Sequence, residues 1–146
     1  MKRIYIGNDH TAIEMKNAIK KHLIENGYEV VDVGNNDGNS CNYANIGITL
    51  AEAVVADKDS KGIALCGTGI GISIAANKVQ GARAGLVYEV QTAELTRQHN
   101  NANILATGAR LIAVDKAILL VDTFLNTEFE GGRHHERVGT LDEYNK

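Results

Sequence analysis

The chain has little cysteine and no long apolar run. Its two cysteines, Cys41 and Cys66, stand in different contexts and form neither a C-x-x-C pair nor a disulfide framework. No apolar run reaches the length of a transmembrane helix, and the first residues, MKRIYIGNDH, turn polar too early for a signal peptide. We therefore expect a protein of the reducing cytoplasm that needs neither a disulfide nor a metal for stability.

The chain also lacks an excess of basic residues. Its 146 residues carry a formal net charge of -3, whereas surfaces that bind nucleic acids concentrate lysine and arginine. This balance disfavours nucleic acid as the main partner. A small anion is still a candidate ligand, because Arg133 and Arg137 lie close together, with Arg97 and Arg110 upstream.

Short apolar runs alternate with longer segments of helical period, which predicts βαβ units and a parallel sheet covered on both faces. The predicted strands are 3–7, 29–33, 62–66, 82–87 and 103–106, with a short sixth at 110–113. The predicted helices are 11–26, 44–57, 70–78, 90–99, 114–125 and 134–145. Segment 34–42, GNNDGNSCN, is predicted as the one long loop. We expect one domain, 1–146, with a doubly wound α/β fold.

The stretch GIALCGTGIGIS, 62–73, places Cys66 at the end of a predicted strand and three glycines after it. Such glycines allow a sharp turn that aims backbone N–H groups outward at a helix N-terminus, where an anion binds well. A dinucleotide motif has G-x-G-x-x-G near the first strand, so G-T-G-I-G at the third strand disfavours a nucleotide. Tight packing of the turn is the alternative.

Thiols at helix N-termini are more acidic than free cysteine, which favours a base or nucleophile at Cys66. The alternative is a small apolar residue that ends a strand. Cys41, in the polar loop, lacks such a setting and is treated as incidental.

Other polar side chains follow predicted elements. In sheets of this kind ligands bind at the carboxyl ends of the strands. Asp9 and His10 end the first strand, where either can reach a sugar hydroxyl or a phosphate, and helix capping is the alternative for Asp9. His99, in RQHNNAN, is either a catalyst or a surface histidine at a helix end.

The segment EGGRHHERV, 130–138, brings two arginines to one face of a predicted helix. Arg133 and Arg137 are four residues apart, with His134 near the helix start and two glycines before it. Two guanidinium groups repel each other unless an anion lies between them, and a phosphate fits there. The alternative is a solvated basic turn paired with the neighbouring glutamates.

Together these stretches resemble the family of type B ribose-5-phosphate and galactose-6-phosphate isomerases. The likeness is carried, in order between residues 3 and 139, by NDH, CGTGIGISIAANK, ARAGLV, RQHNNANILATGAR and EGGRHHERV. The resemblance implies a Rossmann-like three-layer αβα sandwich with a five-stranded parallel sheet. It further implies an aldose–ketose isomerase without cofactor or metal, acting as a dimer or tetramer with active sites shared between subunits.

The resemblance also implies roles, position by position. Cys66 is the base that moves a proton between C1 and C2, with Thr68 beside it. Asp9 holds the sugar near its ring oxygen or first hydroxyl, and His99 assists ring opening. The enediolate is stabilised by the backbone amides of Gly67, Gly69, Ile70 and Gly71. The phosphate is held by His10, Arg133, His134 and Arg137, with Arg110 and Asn100 completing the site from the neighbouring subunit.

Some positions depart from the family's pattern. Ile72 stands where some members carry a glutamate base, so the chain resembles the cysteine-base type. The usual Asp-Tyr-Pro after the second strand is replaced by Asn42, Tyr43 and Ala44, in a chain with no proline, and Tyr43 is still expected to line the pocket. Asn8 stands where small residues or cysteine are more common.

The favoured function is the interconversion of ribose 5-phosphate and ribulose 5-phosphate through an enediolate. Ribose-phosphate members commonly carry the RQHN and GGRH forms found here, and galactose-phosphate members tend to diverge in both places. An isomerase of allose 6-phosphate or galactose 6-phosphate is the enzyme alternative. A non-catalytic sugar-phosphate sensor is the alternative from another class, since it needs the phosphate-binding residues but not the base.

Overall fold

In the computed structural model, which describes residues 2–146, five parallel strands form a sheet in the order β2-β1-β3-β5-β4. The strands are Arg3–Asn8 (β1), Glu29–Asp32 (β2), Lys61–Cys66 (β3), Ala84–Leu86 (β4) and Ile104–Gly108 (β5). Each neighbouring pair is parallel. The predicted α/β fold with a five-stranded parallel sheet is confirmed.

Within residues 2–146, six helices connect or follow the strands. They are Ile13–Glu25 (α1), Tyr43–Ala56 (α2), Ile70–Ala76 (α3), Val90–Gln98 (α4), Val114–Leu125 (α5) and His134–Glu143 (α6). A 3-10 turn, His10–Ala12, precedes α1. Segment 34–42 is a loop, as predicted. None of the helices in residues 2–146 combines the length and the apolar character needed to cross a membrane.

The predicted sixth strand at 110–113 is wrong, because this segment turns away from the sheet. The carbonyl of Gly108 accepts hydrogen bonds from the N–H groups of Leu111 at 3.2 Å and Ile112 at 3.4 Å. The three apolar residues at 111–113 suggested a short strand, but these local bonds close a turn.

Alternate side chains of the central strands face two different cores, since successive strand residues point to opposite faces. Ile63 and Leu65 of β3 pack in a core with α1, α4 and α5. Ala64 and Cys66 pack on the other face with α2 and α3. Each fully buried large apolar side chain in these cores contributes about 1.5–3 kcal/mol. The result is a three-layer αβα sandwich.

The strand order fixes where a ligand binds. The chain leaves β1 towards β2 on one side and leaves β3 towards β5 and β4 on the other. The carboxyl ends of β1 and β3 therefore flank the switch point at which α/β sheets bind ligands. Asn8 is level with Leu65, and the Asp9 N–H donates to the Leu65 carbonyl at 3.0 Å. This register brings the residues after β1 next to Cys66.

Candidate active site

Cys66 lies at the carboxyl end of β3 and is held by the turn that follows it. Its side chain is buried, with 5% of the residue exposed. The Gly69 N–H donates to Cys66 Sγ at 3.1 Å. Gly69 has a φ of +81°, and a Cβ there would lie 2.6 Å from the carbonyl carbon of Thr107. Only glycine fits this position without strain, so the turn fixes the thiol at the start of α3.

The residues around the turn already bond some of the amides expected to bind a ligand. The Ile70 N–H donates to Thr68 Oγ1 at 3.1 Å, as the Gly69 N–H does to Cys66. Tyr88, which follows β4, donates its hydroxyl to the Thr68 carbonyl. Burial, and secondarily the nearby Cys66, raises the pKa of Tyr88 above its ordinary value. Sequence reasoning missed Tyr88, because nothing in YEV distinguishes it from any tyrosine after a strand.

Arg110 lies against the same turn. The backbone N–H of Arg110 donates to the Gly67 carbonyl at 2.9 Å. A Cβ added to Gly67 would lie 3.3 Å from Arg110 Cδ. The guanidinium is exposed and forms no ion pair within residues 2–146. The resemblance grouped Arg110 with Asn100 as residues from one neighbouring subunit. In the structure, Arg110 contacts Gly67 of its own chain, whereas Asn100 lies at the other edge of the sheet.

Asp9 and His10 reach this turn from β1. Asp9 Oδ1 accepts hydrogen bonds from the Thr11 N–H at 2.9 Å and the Thr11 hydroxyl at 2.6 Å, so Asp9 does cap the 3-10 turn. Its Oδ2 has no hydrogen-bond partner in the described part of the chain and is free for a ligand. His10 is half-buried, and its Nδ1 lies 3.9 Å from Cys41 Sγ.

Tyr43 borders the turn from α2. Its ring lies directly over Gly71, where a Cβ would come within 2.3 Å of Tyr43 Cε1. Asn42 caps α2, since its Oδ1 accepts the Ala44 N–H at 2.9 Å. Asn42, which departs from the family's pattern, therefore caps α2, and Tyr43 lies beside the glycines of the turn. We call Asp9, His10, Tyr43, Cys66–Gly71 and Arg110 the carboxyl-edge cluster.

A buried lysine on α1 bonds the residues that adjoin this cluster at the end of β1. Lys16, on α1, is 0% exposed, and lysine is almost never fully buried unless it is paired. Its Nζ lies 3.0 Å from Asp32 Oδ2. The same Nζ donates to Asn8 Oδ1 at 2.9 Å, to the Asn35 carbonyl at 3.2 Å and to Asn36 Oδ1 at 2.6 Å.

These contacts connect the lysine to the site. Asn8 Nδ2 donates to the carbonyls of Asp9 at 2.9 Å and Asn35 at 3.0 Å. Burial raises the pKa of Asp32, but the Gly34 N–H and Lys16 outweigh it and hold that pKa below its ordinary value. The Asn8 that departs from the family's pattern thus joins the end of β1 to the loop after β2.

His99 and Asn100 lie at the other edge of the sheet. Helix α4 runs back across the sheet and ends at Gln98, before β5 begins at Ile104. Ile104 is level with Gly62, whereas Cys66 is level with Gly108. At about 3.3 Å per strand residue, these levels are roughly 13 Å apart. Within one chain, His99 cannot act on a sugar carbon held at Cys66.

The EGGRHHERV segment joins His99 at this edge. The Glu130 N–H donates to the Gln98 carbonyl at 3.1 Å, which ties the segment to the end of α4. The rings of His99 and His134 stack, with centroids 4.4 Å apart and planes 16° apart. Burial, the neighbouring His99 and Arg133 lower the pKa of His134.

Arg133 and Arg137 extend from the same segment. Both are exposed, and neither forms an ion pair in the described chain, so the alternative of a turn paired with glutamates is not what forms. Arg137 donates only to the Arg133 carbonyl, at 3.2 Å. We call His99, Asn100, Glu130, Arg133, His134 and Arg137 the amino-edge cluster.

The expected site residues therefore fall into two groups. His10, which was expected to hold the phosphate with Arg133, His134 and Arg137, lies in the carboxyl-edge cluster, apart from those three. Each cluster has part of the expected sugar-phosphate site: one has the thiol and the glycine turn, and the other has two arginines without ion pairs in the described chain.

A comparison with protein families shows to which family the chain belongs. The family described as Ribose/Galactose Isomerase matches residues 4–141. The chain belongs to the ribose/galactose isomerase family. The resemblance stated from the sequence is thereby confirmed.

Other members of the ribose/galactose isomerase family match over nearly the whole chain. Ribose-5-phosphate isomerase B of Escherichia coli is 44% identical over 141 residues, which cover 97% of this chain and 95% of that protein. The structure of the Clostridium thermocellum ribose-5-phosphate isomerase B is 47% identical, with a TM-score of 0.94 and coverage of 97% and 95%. The Mycoplasma genitalium enzyme, solved with bound ribulose-5-phosphate, is 40% identical, with a TM-score of 0.95 and the same coverage.

Proposed function

We propose that the chain is an aldose–ketose isomerase that interconverts ribose 5-phosphate and ribulose 5-phosphate. The observation that carries this proposal is the buried Cys66 sulfur, which accepts the Gly69 N–H at 3.1 Å at the ligand-binding edge of the sheet. The names of its relatives and the ribulose-5-phosphate bound to one of them support the substrate. We also propose that the whole chain, 1–146, forms a single domain. Its proposed place is the cytoplasm, and its proposed pathway is the pentose phosphate pathway.

The chemistry begins with a closed sugar ring. His99 donates a proton to the ring oxygen while the C1 hydroxyl passes its own proton to water, which opens the ring and releases the aldose. Asp9 is suited to hold that hydroxyl or the ring oxygen, because its Oδ2 is free and its Oδ1 is fixed by Thr11.

The Cys66 thiolate then removes the proton from C2 of the open aldose. The electrons of that C–H bond form the C1–C2 double bond, and the aldehyde oxygen becomes the charged oxygen of the enediolate. Backbone N–H groups of the glycine turn and the Thr68 hydroxyl are suited to stabilise this charge, once the N–H groups of Gly69 and Ile70 exchange their present partners for the ligand. Cys66 returns the proton to C1 while the proton of the O2 hydroxyl passes to O1. This leaves a ketone at C2, a hydroxyl at C1 and the thiolate as it began, so the reaction needs no other reactant.

We further propose that a complete site needs two copies of the chain. The carboxyl-edge cluster supplies the base, and the amino-edge cluster of a second copy supplies His99 and Asn100 and holds the phosphate through Arg133, His134 and Arg137. The edges are too far apart to combine within one chain, as the strand register requires. Exposed apolar side chains beside the carboxyl edge, Ile70 at 47%, Ile74 at 57% and Leu111 at 57%, are suited to burial against that copy.

Ribulose 5-phosphate formation by the purified protein tests the proposal. We expect Cys66→Ala to lower kcat by at least about 100-fold, since a general base contributes that much. Cys41→Ala is the matched control and leaves kcat unchanged. Equal activity of the wild type and Cys66→Ala contradicts the cysteine base.

Two further outcomes address the alternatives. Higher kcat/KM with allose 6-phosphate or galactose 6-phosphate would make the chain a six-carbon isomerase, since pocket length sets that preference. Sugar-phosphate binding without turnover, unaffected by Cys66→Ala, would make it a sensor.

A further inference from the structure

Three side chains with metal-ligating atoms converge in the amino-edge cluster. His99, Glu130 and His134 each offer one ligand atom, and these atoms all lie within 4.8 Å of one another. The sequence spacing of the three residues matches no metal motif, so the sequence predicted no metal site here. Only the folded chain brings them together.

The local backbone explains why they meet. The Glu130 N–H bonds the carbonyl of Gln98, so Glu130 is anchored beside the residue that precedes His99. Gly131 and Gly132 then have φ values of +73° and +58°, which reverse the chain and start α6 at His134. Two consecutive left-handed residues of this kind require glycine. The turn therefore places one ligand atom before it and one after it, both close to His99.

His134 is poorly satisfied in this position. The residue is 7% exposed, and its Nε2 has no hydrogen-bond partner among the described residues. A buried polar atom without a partner costs about 1–3 kcal/mol. The ring of His134 lies beside a second imidazole and a carboxylate, and an imidazole nitrogen without a hydrogen-bond partner is available to bind a metal.

We infer that His99, Glu130 and His134 bind a divalent transition-metal ion of the Zn²⁺ type, and that this ion inhibits the isomerase. Two imidazoles and one carboxylate are a known ligand set for Zn²⁺ with an open fourth position. Mg²⁺ and Ca²⁺ prefer oxygen ligands and do not suit two imidazoles.

Binding requires a small rearrangement. Zn²⁺ takes nitrogen ligands at about 2.0–2.1 Å, so the three atoms must move closer than they are now. The stacked rings are nearly parallel, and their in-plane lone pairs cannot both meet one ion until one ring turns. His99 is half-buried and Glu130 is exposed, so these two side chains can move towards the buried His134. Arg133 and Arg137 lie nearby and oppose a cation, which makes the site weaker than a structural zinc site.

The inhibition rests on the proposed function. If His99 opens the sugar ring and His134 helps to hold the phosphate, an ion held by both removes the acid and competes with the sugar phosphate. Substrate is therefore expected to protect the enzyme against Zn²⁺.

A Co²⁺ titration tests the site directly. We expect one Co²⁺ per chain, with the visible absorption of a tetrahedral site, displaced by Zn²⁺. Glu130→Gln should weaken Co²⁺ binding by at least about tenfold because a charged ligand is lost. Glu136→Gln, at an exposed position on α6, is the matched control and binds as the wild type does. Zn²⁺ should inhibit the wild type and Glu136→Gln alike, whereas Glu130→Gln should need at least about tenfold more Zn²⁺ for the same fractional loss of its own activity.

Several results would overturn the inference. One is the absence of tetrahedral Co²⁺ absorption, and another is equal binding by Glu130→Gln. A third is sulfur-to-cobalt absorption in the near ultraviolet that disappears in Cys66→Ala, which would put the ion on the thiol. Co²⁺ binding that depends on Glu130 in a chain without isomerase activity would support the metal site and overturn the proposed function instead.

Discussion

The two edges of the sheet carry functional side chains on very different supports. At the carboxyl edge, the thiol is held by a glycine turn, and a fully buried lysine fixes the end of β1 beneath it. At the amino edge, the arginines are exposed and rest on a short turn before α6. The carboxyl edge is thus fixed by contacts within the chain, whereas no ion pair of the described chain holds the arginines of the amino edge.

The largest effect comes from separating the two edges in a mixed dimer. Heterodimers of Cys66→Ala and His99→Ala subunits should have about half of the wild-type activity, because one of two symmetric sites combines two intact edges. Each variant alone should be nearly inactive. The measurement is ribulose 5-phosphate formation by heterodimers purified with two different tags. No recovery in verified heterodimers contradicts a site shared between copies.

Removing the buried lysine tests the support of the carboxyl edge. Lys16→Met should lower the free energy of unfolding by about 3–5 kcal/mol, because it leaves the Asp32 carboxylate and several amide oxygens without their buried partner. Lys20→Met is the matched control: Lys20 also approaches Asp32, at 3.5 Å, but its side chain is 37% exposed. It should change stability by less than about 1 kcal/mol. Urea unfolding measures both, and equal losses would contradict the role of burial.

The lysine also shows what sequence reasoning could have found. The buried positions of the first helical segment include Ala12, Met15, Ile19 and Leu23, and Lys16 lies within the same stripe. A charged residue on an apolar helix face signals a buried partner. The partner itself was out of reach, because the Asp32 carboxylate and the amides of the following loop meet Lys16 only after the sheet has formed.

The other features of the fold and site also divide into those that local sequence patterns predict and those that depend on the folded topology. Periodicity predicted the strands and helices, and the local pattern of Cys66 and its glycines predicted the turn. The distance between Cys66 and His99 depends on topology, not on local pattern. A helix that connects parallel strands runs antiparallel to them, so the end of α4 must lie at the amino edge. That argument was available from the predicted βαβ units.

Adding a methyl group to the glycine turn should lower both stability and activity. Gly69→Ala should lower the free energy of unfolding by about 2–4 kcal/mol, from left-handed strain and a clash with Thr107. It should also lower kcat/KM, because the N–H that bonds Cys66 moves. Gly139→Ala is the matched control on α6, where an added Cβ meets nothing within 4 Å. It should stabilise the chain by about 0.5–1 kcal/mol and leave kcat/KM unchanged. A stable, fully active Gly69→Ala protein contradicts the rigid carboxyl edge.

The smallest effect compares two tyrosine hydroxyls. Tyr88 donates to the Thr68 carbonyl at the carboxyl edge, whereas Tyr5 donates to Asp57 Oδ2 at 3.0 Å near the amino end of the sheet. Removing either hydroxyl should lower the free energy of unfolding by about 1 kcal/mol. Only Tyr88→Phe should also lower kcat/KM, because only Tyr88 steadies the turn that carries Cys66.

Titration of the Tyr88 phenol sharpens this last comparison. Its pKa is raised first by burial and then by the nearby Cys66, since both disfavour the phenolate. In Cys66→Ala the pKa of Tyr88 should fall part of the way towards its ordinary value, because the repulsion goes and the burial stays. The difference in ultraviolet titration between each protein and its Tyr88→Phe counterpart isolates this phenol. An unchanged pKa, together with equal kcat/KM for Tyr88→Phe and Tyr5→Phe, would mean that Tyr88 is not coupled to the thiol, and that the preformed edge ends at Thr68.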